Sequence, residues 1–385
     1  MPTAPDNLFS PLQQRSITLP NRIVCSPMCE YSSVDGHAND WHLVHLGTRA
    51  IGGAGTVITE AAAVSPEGRI TPGDLGIYSD DHIPFLTRIT TFLKANGSVP
   101  GIQLAHAGRK ASMSVPWVTP SHTVPPSEGG WTNVVAPSAL RFDDAYPLPH
   151  ALDRDGLDKV VADFTAAAHR AAAAGFLLAE IHAAHGYLLH EFLSPLSNSR
   201  PDLGPAEYGR SLVNRAHFPL EVIRAVRAAF PAHLPVWVRI SATDWVNAAF
   251  DTGAGLTIED TVEFARLIKA EGVDLIDVSS GGNDPRQQIP VGPGYQVSFA
   301  DRIRRDAGIA TGAVGMITGP AQADQIIRTG QADVVSLARE LLRDPYWPLR
   351  AAEDLRQPGN WPVQYERAAR GKVIRRQPLN PPTKA

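Results

Sequence analysis

Apolar residues along the chain recur in short unbroken runs, each followed by a stretch with helical spacing. Eight runs have the length and β-branched content of strands: Arg22–Ser26, Thr56–Glu60, Pro100–Leu104, Phe176–Ile181, Val236–Ile240, Leu275–Ser279, Ile309–Val314 and Val334–Leu337. Most are continuous rather than alternating, the pattern of parallel strands covered on both faces. Between them, Leu157, Val160, Val161, Phe164 and Ala168 share a helical face, with Asp153 or Asp155 placed to cap its start and Gly175 its end. Thr257 and Asp260 have capping-box spacing ahead of Val262, Phe264, Ala265 and Ile268, and Gly272 follows that helix. Gly319-Pro320 opens another helix and Gly330 closes it. Strands alternating with helices in this number predict an α/β chain forming a single (β/α)8 TIM barrel. An open doubly wound sheet is the alternative, weakened because no G-x-G-x-x-G follows any strand.

One spacing departs from the repeat. Residues Ala111 to Asp155, after the third strand, are too long for an ordinary connection and contain Trp117, Trp131 and many prolines. Such a segment is expected to be a lid over the site or to carry a small hairpin, a solvated insertion being the alternative. The barrel domain is expected over residues 1–367. The remainder, 368–385, carries Arg370, Lys372, Arg375, Arg376 and Lys384, no acids and three prolines, which predicts a disordered basic tail.

Composition narrows the class. The 385 residues are 43% apolar and 19% charged, with a formal net charge of −4. A chain this long buries roughly three-quarters of its surface and needs no staple. Its two cysteines, Cys25 and Cys29, cannot build a disulfide framework, nor a zinc or iron–sulfur site made of four cysteines. Without a signal peptide, a reducing cytoplasm is expected. No apolar run reaches ~18 residues, so no membrane span is expected, and the charge balance offers no footprint for nucleic acid.

In a barrel of this kind the chemistry lies at the carboxyl ends of the strands. The polar residues there are Cys29, Glu60, Gln103, His182, His185, Arg239, Ser279 and Arg339, with Gly315 beside them. The fourth strand runs into His182-Ala-Ala-His185-Gly-Tyr187. If the chain turns helically there, the two imidazoles share a face. They could clamp one oxygen and stabilise charge developing on it, ligate a metal, or be ordinary core histidines; spacing does not choose. Arg239 reads as a buried cation that must face a carboxylate or an anionic ligand. Gly315 and Arg339 follow the last two strands, where barrels often bind phosphate.

These segments resemble the old yellow enzyme family of FMN-dependent ene-reductases, and within it the thermophilic-like subclass that includes xenobiotic reductases. The resemblance rests on Asn21-Arg22-Ile23, Pro27-Met28-Cys29-Glu30-Tyr31, Asp40-Trp41-His42, Pro66-Glu67-Gly68-Arg69, Gln103 to Lys110, the His182–Tyr187 segment and Ala313-Val-Gly-Met316. It implies FMN across the barrel mouth, with Gly315, Met316, Ala338 and Arg339 at its phosphate. Pro27, Met28, Ala61, Gln103 and Ser279 would lie along the ribityl chain and ring, Arg239 near N1, and Cys29 at the O4 edge. NADPH or NADH would reduce the flavin, and an electron-poor alkene would then accept hydride. His182 and His185 would bind the carbonyl of that alkene, Tyr187 would supply the proton, and Tyr31 and Lys110 would line the pocket. Arg367 would reach a neighbouring subunit's site, implying a homodimer or homotetramer.

Three departures from the family pattern stand out. The loop Asn198–Arg210 is longer than usual, with Arg210 in place of a glycine; Ala338 replaces the glycine before Arg339; and Glu30 stands where glutamine is commoner. Two rival functions are a phosphate-binding isomerase or aldolase, which would use a Schiff-base lysine or a metal, and a flavin-binding protein without turnover. Lys110 is the one lysine well placed for the first.

Overall fold

The computed structural model describes residues 6–201, 208–246, 255–374 and 378–379. Eight parallel strands close into a barrel in chain order: Ile23–Cys25, Thr56–Ala63, Val99–Ala105, Leu178–Ala183, Val236–Ser241, Leu275–Ser279, Ala310–Ala313 and Val334–Leu337. Closure comes from the last strand pairing with the first, Val335 with Ile23 and Leu337 with Cys25. This is the (β/α)8 barrel expected from the alternation, and it excludes the open sheet. The strands are continuous apolar runs because both faces are covered: all eight residues of Thr56–Ala63 and all six of Val236–Ser241 are buried.

Local signals set the helix ends. Asp153 accepts from Gly156 N–H to start Arg154–Ala173, so the cap is Asp153 and not Asp155. Thr257 and Asp260 make the reciprocal capping box that starts Ile258–Ala270. Gly175, Gly272 and Gly330 follow their helices with positive φ, the conformation that glycine adopts without a Cβ penalty.

A hairpin that the apolar pattern did not predict, Leu12–Gln14 with Ile17–Leu19, plugs the amino end of the barrel. Gln14 Oε1 accepts from the buried Trp237 indole at 3.2 Å. Arg15 pairs with Asp274 at 2.6 Å. The plug leaves the carboxyl end as the open one.

The insertion carries a small antiparallel turn-back, Met113 paired with Thr123, with Ser114 N–H on His122 O at 2.9 Å and Val124 N–H on Ser112 O at 2.8 Å. Its short strands Val135–Ala136 and His150–Ala151 pair in parallel. It is anchored by a small apolar cluster of Ala107, Ala111 and Val134, with Ile70, Trp131 and Tyr187 against it. One expectation needs correction: the tail expected to be disordered is, over its described part, laid on the barrel. Gly359 bonds Lys372 and Ile374 through the backbone, and Leu379 N–H reaches Lys94 O at 3.0 Å. Leu379 packs on the main core, so an apolar anchor outweighs the basic, proline-containing composition. Residues 202–207 of the altered rim loop, and 375–377 and 380–385 of the tail, lie outside the described residues. Among the described residues no helix is long and apolar enough to cross a membrane.

Candidate active site

The fourth strand ends at Ala183, so His182 is the last inward side chain of the strand. The chain then turns sharply, with His185 at φ 59° and Gly186 at φ 72°. This left-handed turn, not the helical turn expected from the i, i+3 spacing, brings the imidazoles together. The rings lie 5.1 Å apart at 89°, and Tyr187 stands edge-on to His182 at 5.0 Å.

The turn is held on every side. His185 N–H donates to Ser241 Oγ at 2.9 Å, and Lys110 Nζ donates to His185 O at 2.9 Å and to Gly282 O. A Cβ on Gly186 would come within 2.3 Å of Gly282 O, so the close approach requires glycine. Lys110, expected at the substrate, is thus engaged with backbone carbonyls; burial, with Arg109 nearby, pushes its ammonium down to about 7.

The imidazole nitrogens are individually committed. His182 Nδ1 accepts from Ala184 N–H at 3.2 Å, and His185 Nε2 lies 2.7 Å from Ser279 Oγ. His182 Nε2 and His185 Nδ1 face each other at 3.4 Å. Burial and then the Arg239 charge hold both rings well below the ordinary histidine range. Burial, with Cys29 and Asp74 nearby, pushes the Tyr187 phenol far up. Among the described residues, no group of three His, Cys, Asp or Glu side chains could hold a metal ion.

Around this pair the other expected residues divide into those at the mouth and those elsewhere. Arg239 is 5% exposed; one guanidinium nitrogen donates to Ser26 Oγ at 2.9 Å and lies 3.6 Å from Asp277, while Nε has no partner. Gln103 is buried beside it and donates to Glu180 at 2.7 Å. Cys29 and Tyr31 lie on the loop after the first strand, Tyr31 at φ 49°. Burial and nearby carboxylates push the Cys29 thiol well up, and Cys29 and Tyr31 contact each other. Pro27 and Met28 are partly exposed on the same loop, and Ala61 is buried in the second strand.

A register shift between Ile58 and Ala61 marks a bulge in that second strand, a device that re-aims side chains. Glu60 there accepts from Glu30 N–H at 3.0 Å and meets His42 at 3.3 Å. At the far side of the mouth, Gly315 has φ 120° and Met316 φ 49°. Ala338 begins the short helix Arg339–Arg343 with no side-chain cap, and Arg339 is exposed. Arg367 is placed elsewhere, exposed on the 3-10 turn Val363–Ala368 beside Tyr346, Arg350 and Trp361.

Sequence reasoning missed Tyr295 and Gln296. Gln296 accepts from Ser280 at 2.6 Å and donates to Val314 O at 3.1 Å, and Tyr295 lies against Gly315. No motif marks them; their loop is simply what precedes a helix. It also missed Phe142, whose ring takes the Lys110 ammonium at 4.1 Å. Trp117, likewise on the insertion, stands edge-on to Tyr31 at 5.9 Å.

The donors fit a flavin mononucleotide. Uncapped amides and Arg339 suit a phosphate, and a buried guanidinium with an unpartnered N–H suits an electron-rich ring edge.

Residues 7–357 match the family described as NADH:flavin oxidoreductase / NADH oxidase. The chain belongs to this family. NADPH dehydrogenase of Geobacillus thermodenitrificans (strain NG80-2) is 49% identical over 94% of this chain and 98% of its own. NADPH dehydrogenase of Bacillus subtilis (strain 168) is 48% identical with the same coverages. Among solved structures, morphinone reductase in complex with tetrahydroNAD superposes with a TM-score of 0.72 at 27% identity, covering 93% of each chain. These findings agree with the old yellow enzyme resemblance. This NADH:flavin oxidoreductase family member is therefore an oxidoreductase that works with FMN and a reduced nicotinamide.

Proposed function

We propose that the enzyme is an ene-reductase of the thermophilic-like, xenobiotic-reductase type, reducing C=C bonds activated by a carbonyl or similar group. One observation carries the reading: His182 Nε2 and His185 Nδ1 meet at 3.4 Å while their other nitrogens are engaged. With Nδ1 of His182 accepting, its proton is on Nε2. Ser279 Oγ lies 2.7 Å from His185 Nε2 and 3.4 Å from Gln296 Oε1 with one proton to give. In this reading it goes to His185, which leaves that ring's proton on Nδ1. Two N–H groups then point at one position and can bind one carbonyl oxygen. Because both rings are held neutral, they stabilise charge as it develops there and add none beforehand. A bound FMN would supply the hydride chemistry that links NADPH or NADH to the electron-poor alkene.

Tyr187 keeps its phenolic proton and is the donor to the α-carbon. Pro27, Met28, Cys29, Ala61, Gln103, Arg239 and Ser279 hold the ring and ribityl chain, Arg239 supplying the positive charge. Gly315, Met316, Ala338 and Arg339 hold the phosphate. Tyr31 lines the pocket, Lys110 fixes the turn carrying His185, and the insertion 111–155 serves as the lid through Trp117 and Phe142. Arg367, exposed and away from the mouth residues of its own barrel, serves a neighbouring subunit in a homodimer or homotetramer of a cytoplasmic enzyme.

The anaerobic visible spectrum tests the proposal. NADPH should bleach the flavin and 2-cyclohexenone should restore it. Bleaching reversed by dioxygen and not by the enone rejects this substrate class.

A further inference from the structure

Behind the catalytic turn, and untouched by the roles above, lies a fully buried pair. His190 and Asp244 are both 0% exposed, with His190 Nε2 3.1 Å from Asp244 Oδ1. His190 Nδ1 accepts from Gly186 N–H at 2.9 Å, and Gly186 is the left-handed residue between His185 and Tyr187. Asp244 Oδ2 accepts from Ser194 Oγ at 2.6 Å and from Leu256 N–H at 2.7 Å. Burial pushes its carboxyl up, but His190 and these donors outweigh it and hold the group below its ordinary range.

We propose that His190 and Asp244 are positioning residues for the reaction: Asp244 fixes the His190 tautomer, and His190 fixes the turn that presents His185 and Tyr187. A left-handed pair of residues is costly for His185 and holds only where its surroundings over-determine it. The Gly186 amide points into the protein and needs an acceptor there, since a buried N–H without one costs a desolvation penalty. An imidazole offers an acceptor at Nδ1 only when its proton is on Nε2. The ionised Asp244 lies 3.1 Å from Nε2 but off the line of a hydrogen bond, so its charge rather than an aligned bond selects that tautomer. Neither atom has another partner, and the position of Asp244 is fixed by Ser194 and Leu256. The pair touches neither of the imidazole nitrogens that face the carbonyl site, so it acts through the backbone. This inference rests on the roles just proposed for His185 and Tyr187.

The test uses the FMN-loaded enzyme and two variants, Asp244→Asn and His190→Phe. In the parent labelled with 15N-histidine, His190 should be neutral with its proton on Nε2; a proton on Nδ1 overturns the proposal. After chemical reduction of the flavin, both variants should be reoxidised by 2-cyclohexenone at least tenfold more slowly than the parent. Reoxidation by dioxygen should stay within twofold, with FMN content unchanged, whereas a general structural loss would move both. Enone reoxidation at the parental rate overturns the proposal. Amide exchange over residues 184–190 reads the turn without the reaction. It should quicken at least tenfold in the variants, and unchanged exchange overturns the proposal even if the parent proves inactive on enones. Asp244→Asn, which preserves shape, carries the test if His190→Phe does not fold.

Discussion

His182 and His185 sit where burial and the Arg239 guanidinium both oppose a second proton, which suits the oxygen-binding role proposed for them. A neutral N–H donor gains strength as charge appears on its acceptor and places no unpaired charge in the buried site beforehand. One such donor is worth ~3 kcal/mol, so His182→Ala should lower the rate of enone reduction about 100-fold while FMN stays bound; a steady-state assay with a flavin count checks this. Glu191 shows the opposite consequence of burial. It is 0% exposed, bonded through Oε1 to Arg109 N–H, with Oε2 unpartnered, and burial raises its carboxyl to about 8. A carboxyl whose folded pKa lies above its unfolded value is favoured as the neutral acid, so its ionisation destabilises the fold progressively as pH rises from the ordinary carboxylate range through about 8. Glu191→Gln removes that cost. Its melting temperature relative to the parent should therefore climb between pH 5 and pH 9, as a thermal-unfolding series would record.

Helix caps and glycine stops were readable from the sequence because they depend on contacts within a few residues. Thr257 with Asp260, Asp153, Gly175 and Gly272 all act where their spacing placed them. The local geometry of the His182–His185 segment was not readable in this way, since i, i+3 spacing fits a helix and a left-handed turn equally well. What selects the turn is largely distant in sequence: Ser241 and Lys110 on two other segments, together with His190 four residues after Gly186, which faces Asp244 from a further segment. Gly315 illustrates a requirement of the same kind. Its φ is 120°, and a Cβ placed on it would come within 2.8 Å of Gln296 Nε2, so there is no room for a side chain. Gly315→Ala should weaken FMN retention at least tenfold, measured by reconstitution of the apoprotein, with little change in the helices by circular dichroism.

The barrel closes on itself, and its two ends have separate work. The hairpin plugs the amino end, and the carboxyl end keeps its polar residues at an open mouth flanked by the insertion. The chain's last described segment belongs to this body. Leu379 packs on the core and bonds Lys94, and Val373 pairs with Gly359. Truncation after Ala368 should therefore cost about 1–2 kcal/mol, the order of one partly buried leucine and its local bonds. Denaturant unfolding of the shortened chain checks this; equal stability would mean that the segment adds nothing.

Apolar periodicity by itself determined the strands, their parallel order and hence the end at which chemistry sits, because a strand covered on both faces has to be continuously apolar. The motifs, by resemblance, determined the family and the flavin. Tertiary structure alone decided the rest. Basic composition said nothing of Leu379 finding the core, and the parallel pairing within the insertion has no local signature. Lys110 proved to hold two carbonyls, a role set by segments 75 and 172 residues away. Gln296, His190 and Asp244 carry no motif at all. Their parts depend on polar contacts between separate elements, such as Asp244 with His190 and Gln296 with Val314, and such contacts leave no period in a sequence.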